Sequence, residues 1–193
     1  MVASFPPCRH PGCTAYAVYR RDRCAAHCPD RTAFQAEAAA LLARSQRLRD
    51  VNLSGVQCRD LDLRGRELIG CRFSGSAWCN VCLDGARLRH VYLDFSRVRS
   101  CSLRGAAISL SLFAGAEISD SRFDESDLPR NNFVGVRCTD CSFRGSDLSS
   151  CRFIGARLQR VDLQDCDLYH AHFTASVMTG VDLRYCNTGE AHL

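Results

Sequence analysis

From Leu48 to Leu183 the chain repeats every five residues without an insertion or deletion. All 28 positions reached by stepping five from Leu48 are apolar, and 21 of them are Leu or Phe. Two residues before each, 24 of the 28 positions hold Ala, Ser, Cys or Val. Two residues after, the chain places 11 of its 13 glycines, Gly55, Gly85, Gly115, Gly145 and Gly180 among them. A period of five fits neither the 3.6 of a helix nor the 2 of a flat strand. Periodicity sustained over this length marks a solenoid, in which each repeat buries its apolar side only by stacking on its neighbours. Within one pentad the large residue and the small residue two earlier share a side, as strand alternation requires. Each pentad is therefore a short strand and a corner, and glycine gives the corner dihedrals that other residues reach only with strain.

Segments such as Ser126-Asp127-Leu128, Val161-Asp162-Leu163 and Val181-Asp182-Leu183 resemble the pentapeptide-repeat family, whose consensus is roughly Ala-(Asp/Asn)-Leu-X-X. The resemblance implies an all-β solenoid, a right-handed quadrilateral β-helix with four pentads to the coil. Residues 48–193 would then form about seven coils, a rod roughly 34 Å long at the ~4.8 Å spacing of strands.

Ahead of the repeat lies Cys8-Arg-His10-Pro-Gly-Cys13, followed by Cys24-Ala-Ala-His27-Cys28. Cys8, Cys13, Cys24 and His27 are a plausible tetrahedral zinc set, with Pro11-Gly12 as the turn that folds Cys13 back. The spacing resembles small Cys-Cys-Cys-His zinc knuckles; His10 and Cys28 are spare candidates for the same shell. Four protein ligands leave no open position, so the Zn2+ is expected to be structural rather than catalytic. Thr32-Ala-Phe-Gln35 reads as a capping box, and Phe34, Ala38, Leu41, Leu42 and Leu48 fall close to one helical stripe. The chain thus divides into a zinc-knuckle-like segment (1–30), a helix (31–47) that caps the first coil, and the β-helix (48–193). The C-terminal coil has no comparable cover, and the resemblance implies a homodimer through that end.

The net charge of +4 lies outside the repeat: residues 1–47 carry seven Arg against three acids, and 48–193 carry 18 of each sign. Of the fourteen cysteines, Cys71, Cys101, Cys141, Cys151, Cys166 and Cys186 occupy the small inward position, where Cys acts as a compact apolar filler. With no apolar leader before them and no stretch that approaches a membrane span, a cytoplasmic location is expected.

Sorting outward residues by four pentads gives four faces, named here by Leu48, Leu53, Cys58 and Leu63. The Leu63 face carries Arg64, Asp84, Arg104, Asp124, Arg144, Gln164 and Arg184 one coil apart, which reads as a ladder of cross-strand ion pairs. The Cys58 face leans basic. The Leu53 face is the least charged and offers Tyr92, Phe95, Leu112, Val134 and Ile154 as an interaction surface. Arg66 and Asn131 break the rule of small inward residues; either they turn outward or backbone carbonyls satisfy them. Cys79 and Cys82 fall on outward positions with no further ligand nearby.

The repeat shows no phosphate-binding loop, nucleophile elbow or carboxylate pair with a matching base. No catalytic or organic-cofactor residue is assigned, and a non-enzymatic protein-interaction scaffold is expected. The resemblance adds an alternative, because some family members imitate duplex DNA, bind DNA gyrase and confer fluoroquinolone or self-resistance. That mechanism needs an acidic rod, and this repeat is charge-neutral. A third reading is nucleic-acid binding through Arg9, Arg20, Arg21, Arg23 and Arg31 around the knuckle.

Overall fold

The computed structural model describes residues 5–193 and shows a parallel β-solenoid of about seven turns with one helix at its N-terminal end. On two faces the pentads form three-residue strands. The Leu48 face begins as a sheet of four strands, Arg47–Arg49, Glu67–Ile69, Arg87–Arg89 and Ala107–Ser109. The opposite face carries a sheet of seven, from Gln57–Arg59 to Val177–Thr179. Every pairing joins residues twenty apart, such as Leu48 with Leu68 and Cys58 with Trp78. The other two faces stack through single parallel bridges in the same register, Asn52 with Arg72 and Asp62 with Cys82 being the first of each. From Leu128 onward the Leu48 face changes from strands to tight turns. Pro129 occupies the first turn position, where its fixed φ is already correct.

Corners fall where the glycines do. Every fifth residue from Asp50 to Glu190 has positive φ, whether or not it is glycine. Asp, Asn, Ser and His tolerate this at modest cost. Phe95 (φ 55°), Leu110 (φ 53°) and Tyr185 (φ 64°) are the bulkier exceptions among them.

The large inward residues form columns along the rod. Phe113, Phe133, Phe153 and Phe173 stack with centroids 4.9, 4.7 and 4.8 Å apart, and Phe123 stacks on Phe143 at 4.6 Å. Identical residues one coil apart meet in parallel, offset geometry that aromatic rings favour. The small inward positions do more than fill space. Cys151, Cys166 and Cys186 each donate a thiol hydrogen bond of 2.9 Å to the carbonyl of the large residue one coil back. The Ser126 and Ser146 hydroxyls make the equivalent bond at 2.6 Å.

Asn131 is fully buried, so the backbone-satisfied alternative holds for it. Its amide nitrogen donates to the Ile108 and Leu128 carbonyls at 2.7 and 2.8 Å, and its oxygen accepts the Ser111 N–H at 2.8 Å. Arg66 is only half-buried and donates to the Ala43 carbonyl near the end of the helix (3.1 Å). Asn131→Val would strand two buried backbone groups, the Ile108 carbonyl and the Ser111 N–H, since Leu128 still accepts from Cys151, and each is worth about 1–3 kcal/mol when left unpaired. A loss of about 3 kcal/mol or more in urea unfolding is expected, against about 1 kcal/mol for Ser96→Ala, which removes one neutral bond, to the Leu93 carbonyl. Equal effects would show that the amide is not structural.

The helix spans Arg31–Arg44, and the capping box at Thr32 does not form. Asp30 is the N-cap, its carboxylate accepting the Ala33 N–H at 2.8 Å. An Asp one residue before the helix outcompetes a Thr inside it because only a non-helical residue can turn its side chain back onto free N–H groups. Gln35 instead joins the helix to the first coil, donating to the Gly55 carbonyl (3.0 Å) and accepting the Gln57 N–H (2.7 Å). The helix stops before residue 47 because Arg47–Arg49 pairs as a strand with Glu67–Ile69. Phe34, Ala38, Leu41 and Leu42 are buried in the same core as Leu48 and Leu53, covering the apolar end of the first coil.

Candidate metal centre

Residues 5–28 fold by short hydrogen-bonded turns rather than by a core of their own. Pro7 and Tyr16 bridge antiparallel, and the Cys8 N–H donates to the Ala15 carbonyl at 2.8 Å. At the tip of this loop Gly12 takes φ +75° and the Cys13 N–H returns to the His10 carbonyl (3.1 Å). A second turn brings the His27 N–H to the Cys24 carbonyl (3.1 Å), presenting Cys24 and His27 side by side.

These turns converge Cys8, Cys13, Cys24 and His27, whose ligand atoms all lie within 4.8 Å of one another. Cys13 Sγ is 3.8 Å from Cys24 Sγ, and His27 Nδ1 is 3.7 Å from Cys8 Sγ and 3.3 Å from Cys24 Sγ. Tetrahedral zinc, at ~2.3 Å from sulfur and ~2.0 Å from nitrogen, requires ligand separations of about 3.5–3.8 Å. The donor set therefore fits zinc in kind, number and spacing. Cys8 is further prepared as a thiolate. Burial pushes its pKa up, but the Cys24 and His10 N–H groups and the His27 ring outweigh it and bring it to about 6.

The two spare candidates stand outside this shell. Cys28 is buried and directs its thiol to the Asp30 carbonyl (3.4 Å). The His10 ring lies flat on that of His27, 3.7 Å between centroids, with its Nδ1 3.0 Å from the Pro11 carbonyl. It buttresses the His27 ring.

The segment docks onto the first coil on the Leu53 face. The Tyr19 N–H donates to the Asn52 carbonyl at 2.7 Å, the same bond that Leu53 gives Arg72 and Phe73 gives Tyr92. Tyr19 thus supplies the rung that a preceding coil would have supplied. The Asn52 side chain donates to the Ala17 carbonyl (2.8 Å), and the Ala25 side chain fills the space left by Gly55. The Arg72 guanidinium lies 5.1 Å from the Tyr16 ring, 5.9 Å from Phe5 and 4.7 Å from Tyr92. A hydrogen-bonded ion pair joins Arg21 to Glu37 on the helix (2.9 Å). Helix and metal segment together close the rod, one covering its core and the other pairing its backbone. Asn52 and Arg72 look like ordinary outward residues in the sequence, and only the fold gives them this role.

Of the Leu53-face residues, Tyr92 is engaged by Arg72 and belongs to this dock. Leu112, Val134 and Ile154 are half-buried along the rod, and Phe95 is 72% exposed. Its ring lies against Gly115, where even a Cβ would come within 2.8 Å of it. On the Leu63 face the charge ladder forms only between Arg104 and Asp124 (3.8 Å). Arg64 and Arg184 turn to Asp62 and Asp182 of their own pentads, both at 2.6 Å. Arg144 reaches Asp165 (3.1 Å). A carboxylate two residues away on the same strand is as near as one on the next coil, and its geometry permits a bidentate grip. Hydrogen bonding to Arg64 holds the Asp62 carboxyl down at about 2.

Residues 116–193 match the family model described as "Pentapeptide repeat region". The same five-residue phase runs unbroken back to Leu48 in sequence and in fold, so the rod ahead of the matched segment has the architecture of the segment itself. Solved structures similar to it include HetL, a pentapeptide repeat protein involved in heterocyst differentiation regulation in the cyanobacterium Nostoc (15% identity, 78% of this chain and 90% of that one, TM-score 0.27). Another is QnrB1, a plasmid-mediated fluoroquinolone resistance protein (19%, 72% and 91%, TM-score 0.29). A third is a pentapeptide repeat protein of the Arabidopsis thaliana thylakoid lumen (21%, 57% and 67%, TM-score 0.28). Superpositions this loose carry no argument about function. No curated protein matches the chain. Among the described residues no helix is long and apolar enough to cross a membrane.

Proposed function

We propose that the protein is a non-enzymatic interaction scaffold, a rod closed at its N-terminal end by a structural zinc site, that docks a protein partner on its Leu53 face. Phe95 carries this reading. A phenyl side chain at a left-handed corner costs about 1 kcal/mol or more relative to glycine, yet it is 72% exposed. Strained, exposed aromatics beside a weakly charged strip have the character of binding anchors. Leu112, Val134 and Ile154 continue the strip. The inward cysteines serve as thiol donors in the repeat, which supports a reducing, cytoplasmic setting.

Introducing a photo-reactive phenylalanine analogue at position 95 in cells is expected to yield a discrete crosslinked partner that Ile154→Arg abolishes. The same probe at position 84, on the opposite face, should not capture it. Identical products from both positions would refute the assignment of the face.

Gyrase binding by DNA mimicry is the competing reading. Arginines hold Asp62, Asp140 and Asp182 in close pairs, which leaves the rod a poor imitation of duplex DNA. Supercoiling by gyrase, with or without a fluoroquinolone, should be unaffected by excess zinc-loaded protein. Inhibition, or relief of drug-stabilised cleavage, at roughly stoichiometric protein would favour the topoisomerase reading instead. For nucleic acid, Arg21 is occupied by Glu37, and only the exposed Arg9, Arg20, Arg23 and Arg31 remain.

A further inference from the structure

The Leu48 face handles its charge differently from the rest of the rod. On the Cys58 and Leu63 faces, carboxylates pair with nearby arginines. On the Leu48 face arginines predominate in the first three coils and aspartates in the later ones, with Asp50 and Glu67 among the former and Arg130 among the latter. The first three coils present Arg47, Arg49, Arg87 and Arg89, and the last three of these line a shallow groove of about 520 Å³ together with Glu67. Among the described residues only Arg47 makes an ion pair there, with Glu67. Farther along, Asp127, Asp147 and Asp167 stack in register on successive coils, and none makes an ion pair. Three carboxylates at ~4.8 Å intervals repel one another; the Ser149 and Tyr169 N–H groups and the Asn187 amide donate to Asp147 and Asp167, but no cation on their own face pairs with any of the three.

We infer that this face is an interface with a second copy of the chain, lying antiparallel and side by side, with the basic half of each rod on the acidic half of the other. The registers fix the pairing. In one outward column the order is Arg47, Glu67, Arg87, Ala107, Asp127, Asp147, Asp167. A two-fold axis in the plane of the face at the level of Ala107 keeps each column opposite itself and reverses its direction. Arg87 then meets Asp127 of the second copy, and Arg47 meets Asp167. The like-charge meeting of Glu67 and Asp147 is bridged by Arg47, already bound to Glu67.

The same axis makes further matches in the neighbouring columns, although it also sets His90 opposite Arg130. Arg49 comes opposite Tyr169, 41% exposed, where a guanidinium can lie on the ring. At the axis Ala107 and Ser109 are small enough for close approach. Leu110, held in a left-handed corner and 48% exposed, meets its own copy. A closed, self-complementary patch of this kind is what a two-fold interface requires.

Sedimentation equilibrium of the full zinc-loaded chain tests the proposal. The wild type should be dimeric at 50 mM salt and weaken about tenfold or more at 500 mM, as an interface of exposed charges must. Arg87→Asp and Asp127→Arg alone should each weaken the dimer roughly 100-fold, because each places like charges in contact twice per dimer. The double variant Arg87→Asp/Asp127→Arg should restore it. Positions 87 and 127 are exposed, so unchanged thermal melts separate association from folding. A monomer at ~100 μM in low salt would overturn the inference, and so would a dimer indifferent to both single swaps. It would also fall if Tyr185→Asp in the last coil dissociated the dimer while the charge swaps did not.

Discussion

Raising the pH from 9 to 11 is expected to unfold the rod in one cooperative transition, even in the presence of a reductant that prevents thiol oxidation. Burial pushes Cys58, Cys151 and Cys166 up to about 12 and Cys71 and Cys101 up to about 11, from an ordinary value of 9.0. Because these folded-state values are raised, the folded chain keeps protons that the unfolded chain releases. The stability concerned is complete below about pH 9 and is lost as the pH climbs towards the folded values. Each such thiol removes about 1.4 kcal/mol per pH unit in that window, so five remove roughly 7 kcal/mol per unit. That is comparable to the whole stability of an ordinary domain, about 5–15 kcal/mol. Urea midpoints at pH 8, 9.5 and 10.5 should give a proton release near five on unfolding. Cys151→Ala/Cys166→Ala should lower it by about two. Alanine occupies the same inward position at Ala106 and Ala156, so the variant will fold. A midpoint independent of pH up to 10.5 would contradict the assignment of these thiols as sealed.

Removing the metal is the second large perturbation, and its effect should stop at a boundary. Residues 5–28 are held by turn hydrogen bonds, by the bond from Tyr19 to Asn52 and by the Arg72 contacts with aromatic rings. They have too little buried apolar surface to order themselves, and a structural zinc ion supplies on the order of 10 kcal/mol to such a segment. Chelation, or Cys13→Ser, is expected to abolish hydrogen-exchange protection at Cys8, Val18 and Tyr19. Protection at Phe133 and Phe153, several coils away, should persist, because solenoid stability is a sum of local and nearest-neighbour terms. The first coil lies between these extremes. Losing Tyr19 frees the Asn52 carbonyl and uncovers Arg72, while the helix still covers the core. Protection at Leu53 should therefore fall without vanishing. A metal-free chain with an intact, protected N-terminal segment would refute this account. Collapse of the whole rod would show that the segment nucleates it.

Much of this architecture was readable from residue phase. An apolar residue every fifth position, a small one two before it and glycine two after it determine coil, core and corner, and each has its counterpart in the structure. The cluster of Cys8, Cys13, Cys24 and His27 was legible for the same reason: turn residues and spacing bring the four side chains together with little help from the rest of the fold. Side-chain choices were harder to read. Arg64 is two residues from Asp62 and twenty from Asp84, and a rod places both within reach. Periodicity alone suggested the longer pairing, and the bidentate geometry of the nearer one wins. Asn131 breaks the inward pattern, and only the stacked coils show that three backbone groups meet its amide. Thr32 resembled a cap by spacing, while Asp30 holds the position from which capping is geometrically open. Tyr19 could not be read at all. Its role arises because the rod's first coil lacks a predecessor, and nothing in a local motif records that.

The account rests most directly on the metal centre. Zinc K-edge X-ray absorption on protein purified without added metal, together with native mass measurement, examines it in one preparation. One zinc per chain is expected, with three sulfur ligands at about 2.3 Å and one nitrogen at about 2.0 Å, and both signals lost in Cys13→Ser. A chain that carries no zinc, or holds it through oxygen and nitrogen alone, would contradict the assignment of Cys8, Cys13, Cys24 and His27.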